Sequence, residues 1–489
     1  MRPGGAHMSE SRQGGATAER IDRANRLLSQ HRYGSDAHEQ GYRLLVELAD
    51  APGGAWAQWL LGAYHLQVIH RPDALSDALH WLRAAATAGV PQAIERLSDL
   101  CLQGVALPYS LDGAMRYLQT LADGGHAPSA WQLGYLADQD DAPDIGVAPA
   151  SLLLRACALV FPAAYYSLGW RFAIGRGVAR DPVLARALLL RAADAGFRDA
   201  VEAADALAAD AGPEALALRA RLKDNLAAAQ PMLMQLARAG FGPSAKPVVA
   251  ALETHLLSVG VAAFVLDADG RAAVAGAAPA GMAAAEVWQR PCDAPRIETA
   301  RGFATREECA WLINRVAGTM TSPHDVGPHR SANSSAEIEQ FNGEVRALRM
   351  LDTDAVMRQL QRRVCIALGW RPARLEPSSV IRYGVGHRYE PHVDYFEPEE
   401  IASNREQRGD LGGQRTATFL VYLHAPIRGG ETEYTRAGAI VRGEPGMAVV
   451  HWNTRDGQPD PDSLHQGREV LKGEKWLWRT ALREHSMYG

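Results

Sequence analysis

The sequence predicts two fold classes in one chain: an α-helical solenoid followed by a double-stranded β-helix (jelly roll). Three observations predict it. In the N-terminal half, Leu61, Leu97, Leu133 and Leu168 recur at steps of 36, 36 and 35 residues. Ala78, Ala114, Ala150 and Ala185 repeat the same steps in phase, and a period in the mid-thirties is that of a stacked helical repeat. In the C-terminal part the pattern changes to short alternating apolar runs bounded by glycine turns, the period of strands. There His392-Val393-Asp394 is followed 73 residues later by His465, and a closed double-layered barrel can bring such distant strands around one cavity.

Length and composition bound the rest. The chain has 489 residues, enough for two or three domains, and its 47% hydrophobic content suffices for buried cores. A net charge of −5 is mild for this length, so nothing points to nucleic acid or to an anionic membrane as a partner. The five cysteines (Cys101, Cys157, Cys292, Cys309 and Cys365) are odd in number and scattered. They give neither a zinc spacing nor a disulfide framework, and a reducing cytoplasm fits them best. No apolar run is long enough to span a bilayer, and the N-terminus lacks the apolar core of a signal peptide.

Taken in order, residues 1–20 are rich in Gly, Ser and Arg and read as a disordered tail, with Met8 as an alternative start. Residues 21–245 read as the solenoid with a C-terminal cap, each unit being two short helices and a tight connection. Gly89, Gly125 and Gly196 close helices, and Phe161 occupies that column in the third copy. Small Ala and Gly at fixed positions let antiparallel helices approach closely. The phrases Arg83-Ala84-Ala85-Ala86-Thr87-Ala88-Gly89 and Arg191-Ala192-Ala193-Asp194-Ala195-Gly196 resemble the Sel-one-like subfamily of tetratricopeptide-type repeats. That resemblance covers about residues 40–205 and implies a concave surface for another chain. Trp56, Trp59, Trp81, Trp131, Tyr135, Tyr165, Tyr166 and Trp170 are expected mostly in the core, with a few of them lining the groove.

Residues 246–295 read as a hairpin and linker. Val261–Leu266 and Ala272–Val274 flank a turn at Asp267-Ala268-Asp269-Gly270, which lacks the remaining ligands of a calcium loop. Residues 296–489 form the β domain. Thr305 is a helix N-cap, with Glu308 completing a capping box.

The residue types of this β domain suit metal chemistry. Two neutral imidazoles and one carboxylate can occupy one face of a metal and leave the other open. On a strand, residues i and i+2 point the same way, so His392 and Asp394 share a face while His465 arrives from another strand. Lys475 lies ten residues after His465 on the alternating run Lys475–Thr480, with Arg479 on the same face as a weaker alternative cation. Thr418, Leu420 and Tyr422 share one face of a further strand.

The segments Ile381–Phe396, Arg415–Leu423, Gly429–Tyr434 and Ser463–Trp476, with Arg301–Cys309 at the start of the domain, resemble the prolyl 4-hydroxylase branch of the 2-oxoglutarate/Fe(II) dioxygenases. The resemblance covers about the last 190 residues. It implies Fe(II) on His392, Asp394 and His465, 2-oxoglutarate and O2 as cosubstrates, and ascorbate as a further component. It implies that Lys475 pairs the distal carboxylate of 2-oxoglutarate and that Tyr383 and Tyr422 reach its oxygens. Tyr389, Arg388 and His387 are candidates for substrate contact. His387-Arg388 replace the family's small residues there, which bears on the substrate. His424 and His451 read as ordinary structural histidines. The polar run Glu397–Gln414 corresponds to a mobile loop over the substrate, an expectation that its length supports.

The resulting expectation is hydroxylation of a protein or peptide side chain, with proline the favoured target and the repeats recruiting the partner. Two alternatives stay open: a small-molecule or amino-acid hydroxylase, and a non-catalytic repeat scaffold sensing iron or 2-oxoglutarate. The sequence does not define an oligomeric state.

Overall fold

The computed structural model describes residues 6–31, 34–68, 73–239, 243–258, 288–322, 341–402 and 412–488. Two compact units divide the chain, residues 1–121 and 122–488.

The first unit holds α1 (Ala6–Gln30), α2 (Asp36–Ala49), α3 (Ala55–Gln67), α4 (Ala74–Thr87), α5 (Pro91–Gln103) and most of α6 (Leu111–Asp123). Helix α1 covers much of the stretch expected to be a disordered tail. Its Ala, Glu, Arg and Gln content favours helix enough to outweigh the Gly14-Gly15 pair. The second unit continues with α7 (Ala127–Leu136), α8 (Pro149–Ala158), α9 (Pro162–Ile174), α10 (Pro182–Asp194), α11 (Ala200–Asp205), α12 (Ala208–Ala211), α13 (Glu214–Ala239) and α14 (Lys246–Leu256).

The repeat columns have a packing origin. A Cβ on Gly62 would stand 2.7 Å from Leu82 Cγ, one on Gly134 3.1 Å from Leu153 Cδ2, and one on Gly169 2.9 Å from Leu189 Cγ. The second copy has Ser98 at this position, and its hydroxyl donates to the Ala114 carbonyl at 3.1 Å. The preceding Leu column and the Ala column are buried throughout. The helix-closing column is corrected in the third copy. Gly89, Gly125 and Gly196 take positive φ, but the matching residue is Val160 (φ 65°), not Phe161, which is the N-cap of α9. A β-branched residue in the left-handed region costs about 1–3 kcal/mol.

The β domain starts earlier than expected. Gln289–Asp293, assigned above to the linker, is strand β1, paired with β2 (Arg296–Ala300). The expected hairpin at 261–274 lies outside the described residues. The major sheet has the order β1-β2-β10-β6-β15-β4-β3, with β3 (Glu344–Ala347), β4 (Ser379–Tyr383), β6 (Arg415–His424), β10 (Ala448–Trp452) and β15 (Lys475–Arg483). The minor sheet runs β5-β13-β8-β9, with β5 (Tyr389–His392), β8 (Thr432–Tyr434), β9 (Ala439–Val441) and β13 (His465–Gly467). Short pairs join β7 (Arg428–Gly429) to β14 (Val470–Lys472) and β11 (Thr454–Arg455) to β12 (Gln458–Pro459). Leu420, Tyr422, Val449 and Leu477 of the major sheet meet Tyr434 and Val441 of the minor sheet in one core. This is the expected jelly roll, and the site sits between its sheets.

Two helices, α15 (Arg306–Val316) and α16 (Ala355–Leu368), pack the β domain against the repeats of the same unit. The rings of Trp131 on α7 and Trp311 on α15 are 4.2 Å apart. The Ala355 amide donates to Gln132 Oε1 at 3.1 Å. Of the repeat aromatics expected in the core, Trp131, Tyr135, Tyr165 and Tyr166 are buried, whereas Trp56 is exposed. Thr305 caps α15 in the expected box with Glu308. Glu308 also accepts from the Tyr135 hydroxyl and from Arg363, each at 2.6 Å. Burial alone would raise its pKa, but the Arg363 guanidinium and these bonds hold it below the ordinary carboxylate value. Glu308→Ala removes the carboxylate from a buried cation and should destabilise this unit by about 3–5 kcal/mol. Urea unfolding would show a lower midpoint; an unchanged midpoint would refute this account of the junction.

Candidate metal centre

His392 closes β5, and Asp394 follows in the bend after it. His465 opens β13 directly opposite His392 in the antiparallel register, which sets their ring centroids 4.3 Å apart. The three side chains each offer a ligand atom within 4.8 Å of the others. Of the nine site residues expected from sequence, these three lie together.

Hydrogen bonds set which nitrogen of each ring is free. His392 Nδ1 lies 2.8 Å from the Glu390 carbonyl and His465 Nδ1 lies 2.9 Å from the Ser463 carbonyl. A carbonyl only accepts, so both Nδ1 atoms carry hydrogen and the Nε2 lone pairs are left available for a metal. Burial lowers the pKa of both imidazoles, most strongly His465, where the neighbouring His392 and His451 add to it. Burial would raise that of Asp394, but Arg479, the His451 imidazole beside it, and His465 and His392 hold it well below the usual range. The set is therefore deprotonated near neutral pH, as metal ligation requires.

Lys475 begins β15, paired with Tyr383 on β4. It is buried, and its Nζ lies 5.3 Å from the Tyr383 ring centroid, 5.2 Å from that of Tyr422 and 3.4 Å from Thr432 Oγ1. Among the described residues no carboxylate forms an ion pair with it. Burial lowers its pKa to about 7, against an opposing pull from Glu431. An uncompensated buried cation is costly, and a carboxylate-bearing ligand would relieve it. Arg479, the alternative cation, instead turns toward Asp394, with Nη2 at 3.3 Å from Oδ1. The Tyr422 hydroxyl shares a 2.7 Å hydrogen bond with Thr432, and burial pushes its pKa up to about 12.

The remaining three candidates separate. Tyr389 stacks on His392 with ring centroids 3.5 Å apart. Arg388 is exposed and pairs with Glu390 at 2.5 Å. His387 turns back, its Nδ1 accepting from the Gly384 amide at 3.2 Å. Residues 403–411 of the expected covering loop lie outside the described residues. Its base is closed by Gln414, whose side chain accepts from the Phe396 amide and donates to the Phe396 carbonyl, both at 2.7 Å.

Three groups surround Asp394 that the sequence gives no role at the site. Thr418 donates to Oδ2 at 2.6 Å, Asn453 donates to Thr418 at 3.1 Å, and His451 stands 3.4 Å from the same Oδ2. Thr418 and His451 are register partners on β6 and β10, a long-range pairing no local motif displays.

The model for the 2OG-Fe(II) oxygenase superfamily matches residues 378–482, a span holding all three converging residues and Lys475. Probable prolyl 4-hydroxylase 10 of Arabidopsis thaliana is 30% identical over 211 residues, covering 39% of this chain and 70% of that protein. This chain belongs to the prolyl 4-hydroxylase-like 2OG-Fe(II) oxygenases. It is therefore a dioxygenase of the family that uses Fe(II), 2-oxoglutarate and O2, and the donor set fits that metal. Among solved structures, it is similar to the viral collagen prolyl hydroxylase of Paramecium Bursaria Chlorella virus-1 (23% identity, 39% of this chain and 98% of that one, TM-score 0.30). It is also similar to the Sel1 repeat protein from Oxalobacter formigenes (22% identity, 53% and 89%, TM-score 0.32). Among the described residues, no helix is long and apolar enough to cross a membrane.

Proposed function

We propose that this dioxygenase hydroxylates a protein or peptide side chain, with proline its target and the helical repeats recruiting the partner. His392, Asp394 and His465 would hold the iron. The observation that carries the reading is the convergence of these three donors. Bound there with 2-oxoglutarate and O2, Fe(II) would supply the oxidising chemistry that hydroxylates a C–H bond.

The chain's own residues do the rest. The Ser463 and Glu390 carbonyls engage Nδ1 of both imidazoles and leave Nε2 for the metal. The Lys475 ammonium pairs the distal carboxylate of 2-oxoglutarate, and the Tyr383 and Tyr422 hydroxyls reach its oxygens. Tyr389, on the outer face of His392, meets the substrate. A partner held by the repeats reaches the site at raised effective concentration, which offsets weak affinity for the reacting side chain. Five free cysteines, four of them buried, suit a reducing cytoplasm.

The test is succinate formation from 2-oxoglutarate under air, with Fe(II) and ascorbate as reductant, with and without proline-containing peptides. Iron-dependent succinate that rises with peptide, together with a peptide mass gain of one oxygen atom, is the expected result. Succinate that responds only to small molecules would overturn the polypeptide substrate. Purified protein that binds neither iron nor 2-oxoglutarate would overturn the catalytic reading in favour of a scaffold.

A further inference from the structure

His451 is fully buried on β10. Its Nδ1 lies 2.9 Å from the Tyr434 hydroxyl. Its Nε2 makes no hydrogen bond of good geometry, yet it points at Asp394, 3.4 Å from Oδ2. A buried polar atom without a partner calls for an explanation. Its ring also lies 4.6 Å from that of His465, so it touches the proposed iron ligands without completing their cluster.

Two arrangements of one proton are possible. If Nδ1 carried it, Nε2 would present a bare lone pair to an anionic oxygen inside a dry core, which is repulsive. If the Tyr434 hydroxyl donates to Nδ1, Nε2 carries the hydrogen and offers it to Asp394. The second arrangement is the inverse of that in His392 and His465, whose Nδ1–H groups donate to carbonyls. Asp394 Oδ2 would then be held from two sides, by Thr418 at 2.6 Å and by His451, while Asn453 anchors Thr418. Register requires this meeting, because β10 and β6 set His451 opposite Thr418.

We propose that His451 is a positioning residue for the metal, oriented by Tyr434 and acting through the carboxylate of Asp394. The inference rests on the reading of Asp394 as an iron ligand. Its expected effect is the roughly 10–100-fold loss of metal affinity that follows removal of a group supporting a ligand.

The experiment titrates Co(II) into the full metal-free chain without oxygen, following its visible absorption. Variants His451→Phe, His451→Gln and Tyr434→Phe are compared with wild type, and melting of each metal-free protein reports folding. His451→Phe should weaken Co(II) binding roughly 10–100-fold with the band shape unchanged. His451→Gln, whose amide N–H can reach the same oxygen, should restore most of the affinity, and Tyr434→Phe should lie between. Wild-type affinity in a folded His451→Phe protein would overturn the inference, as would failure of Gln to rescue. A changed band shape would overturn it too, since His451 would then be a ligand. If wild type bound no Co(II), the reading of the three ligands would fall first, and this inference with it.

Discussion

His465→Ala should abolish Fe(II)-dependent succinate release and lower metal affinity by more than the roughly 100-fold that loss of a supporting group costs. The ring is buried, and its Nδ1 is committed to the Ser463 carbonyl, so Nε2 is its only free donor. Alanine leaves one imidazole and one carboxylate. That pair cannot define the face that leaves the other positions open to 2-oxoglutarate and O2. Loss of a packed ring also creates a cavity, but removal of a desolvated imidazole partly offsets that cost, so the metal-free fold should persist. Circular dichroism melting of the metal-free variant checks this, and equilibrium dialysis reads the metal. A folded His465→Ala protein that retained iron and turnover would refute the proposed ligand set.

The meeting of His392, Asp394 and His465 is legible in the sequence because its spacing is constrained by topology. His392 and Asp394 are neighbours, and His465 is brought to them by the β5–β13 pairing. The repeats were legible because helix packing restricts residue type at Gly62, Gly134 and Gly169, where a side chain would strike a leucine. Val160 escaped notice because its left-handed turn is a backbone property that a valine does not signal. Strand β1 escaped because its pairing with β2 stabilises a segment whose Pro291 and flanking Ala/Gly/Pro composition read as linker. His451 was assigned an ordinary structural role because a lone histidine on a strand carries no local signal. Its place beside Asp394 follows from register across strands distant in sequence. Arg479 shares the strand face of Lys475, and only its contact with Asp394 distinguishes the two cations.

Lys475→Ala should raise the KM for 2-oxoglutarate by roughly 30-fold or more, since truncating one partner of a buried charge pair costs about 2–5 kcal/mol. Iron affinity without cosubstrate should change little, because Lys475 makes no bond to the three ligands. The pH dependence is the sharper test. Burial lowers the Lys475 pKa from 10.5 to about 7, and only the protonated form attracts a carboxylate. Below pH 7 the ammonium is already present and affinity should be nearly flat. Above pH 7 cosubstrate binding must take up a proton, so apparent affinity should fall by up to about tenfold per pH unit until the pKa of the complex is reached. Stability of the cosubstrate-free protein should move the other way. Between pH 7 and 10.5 the unfolded chain keeps a proton on this lysine that the folded chain has released, so stability rises with pH across that window. Lys475→Arg keeps the charge at every accessible pH and should flatten the binding profile even if its bulk weakens affinity. Calorimetric titration of 2-oxoglutarate into the anaerobic Fe(II) protein at several pH values separates these cases. A Lys475→Ala protein with the wild-type affinity and pH profile would remove Lys475 from the cosubstrate pocket and return Arg479 to consideration.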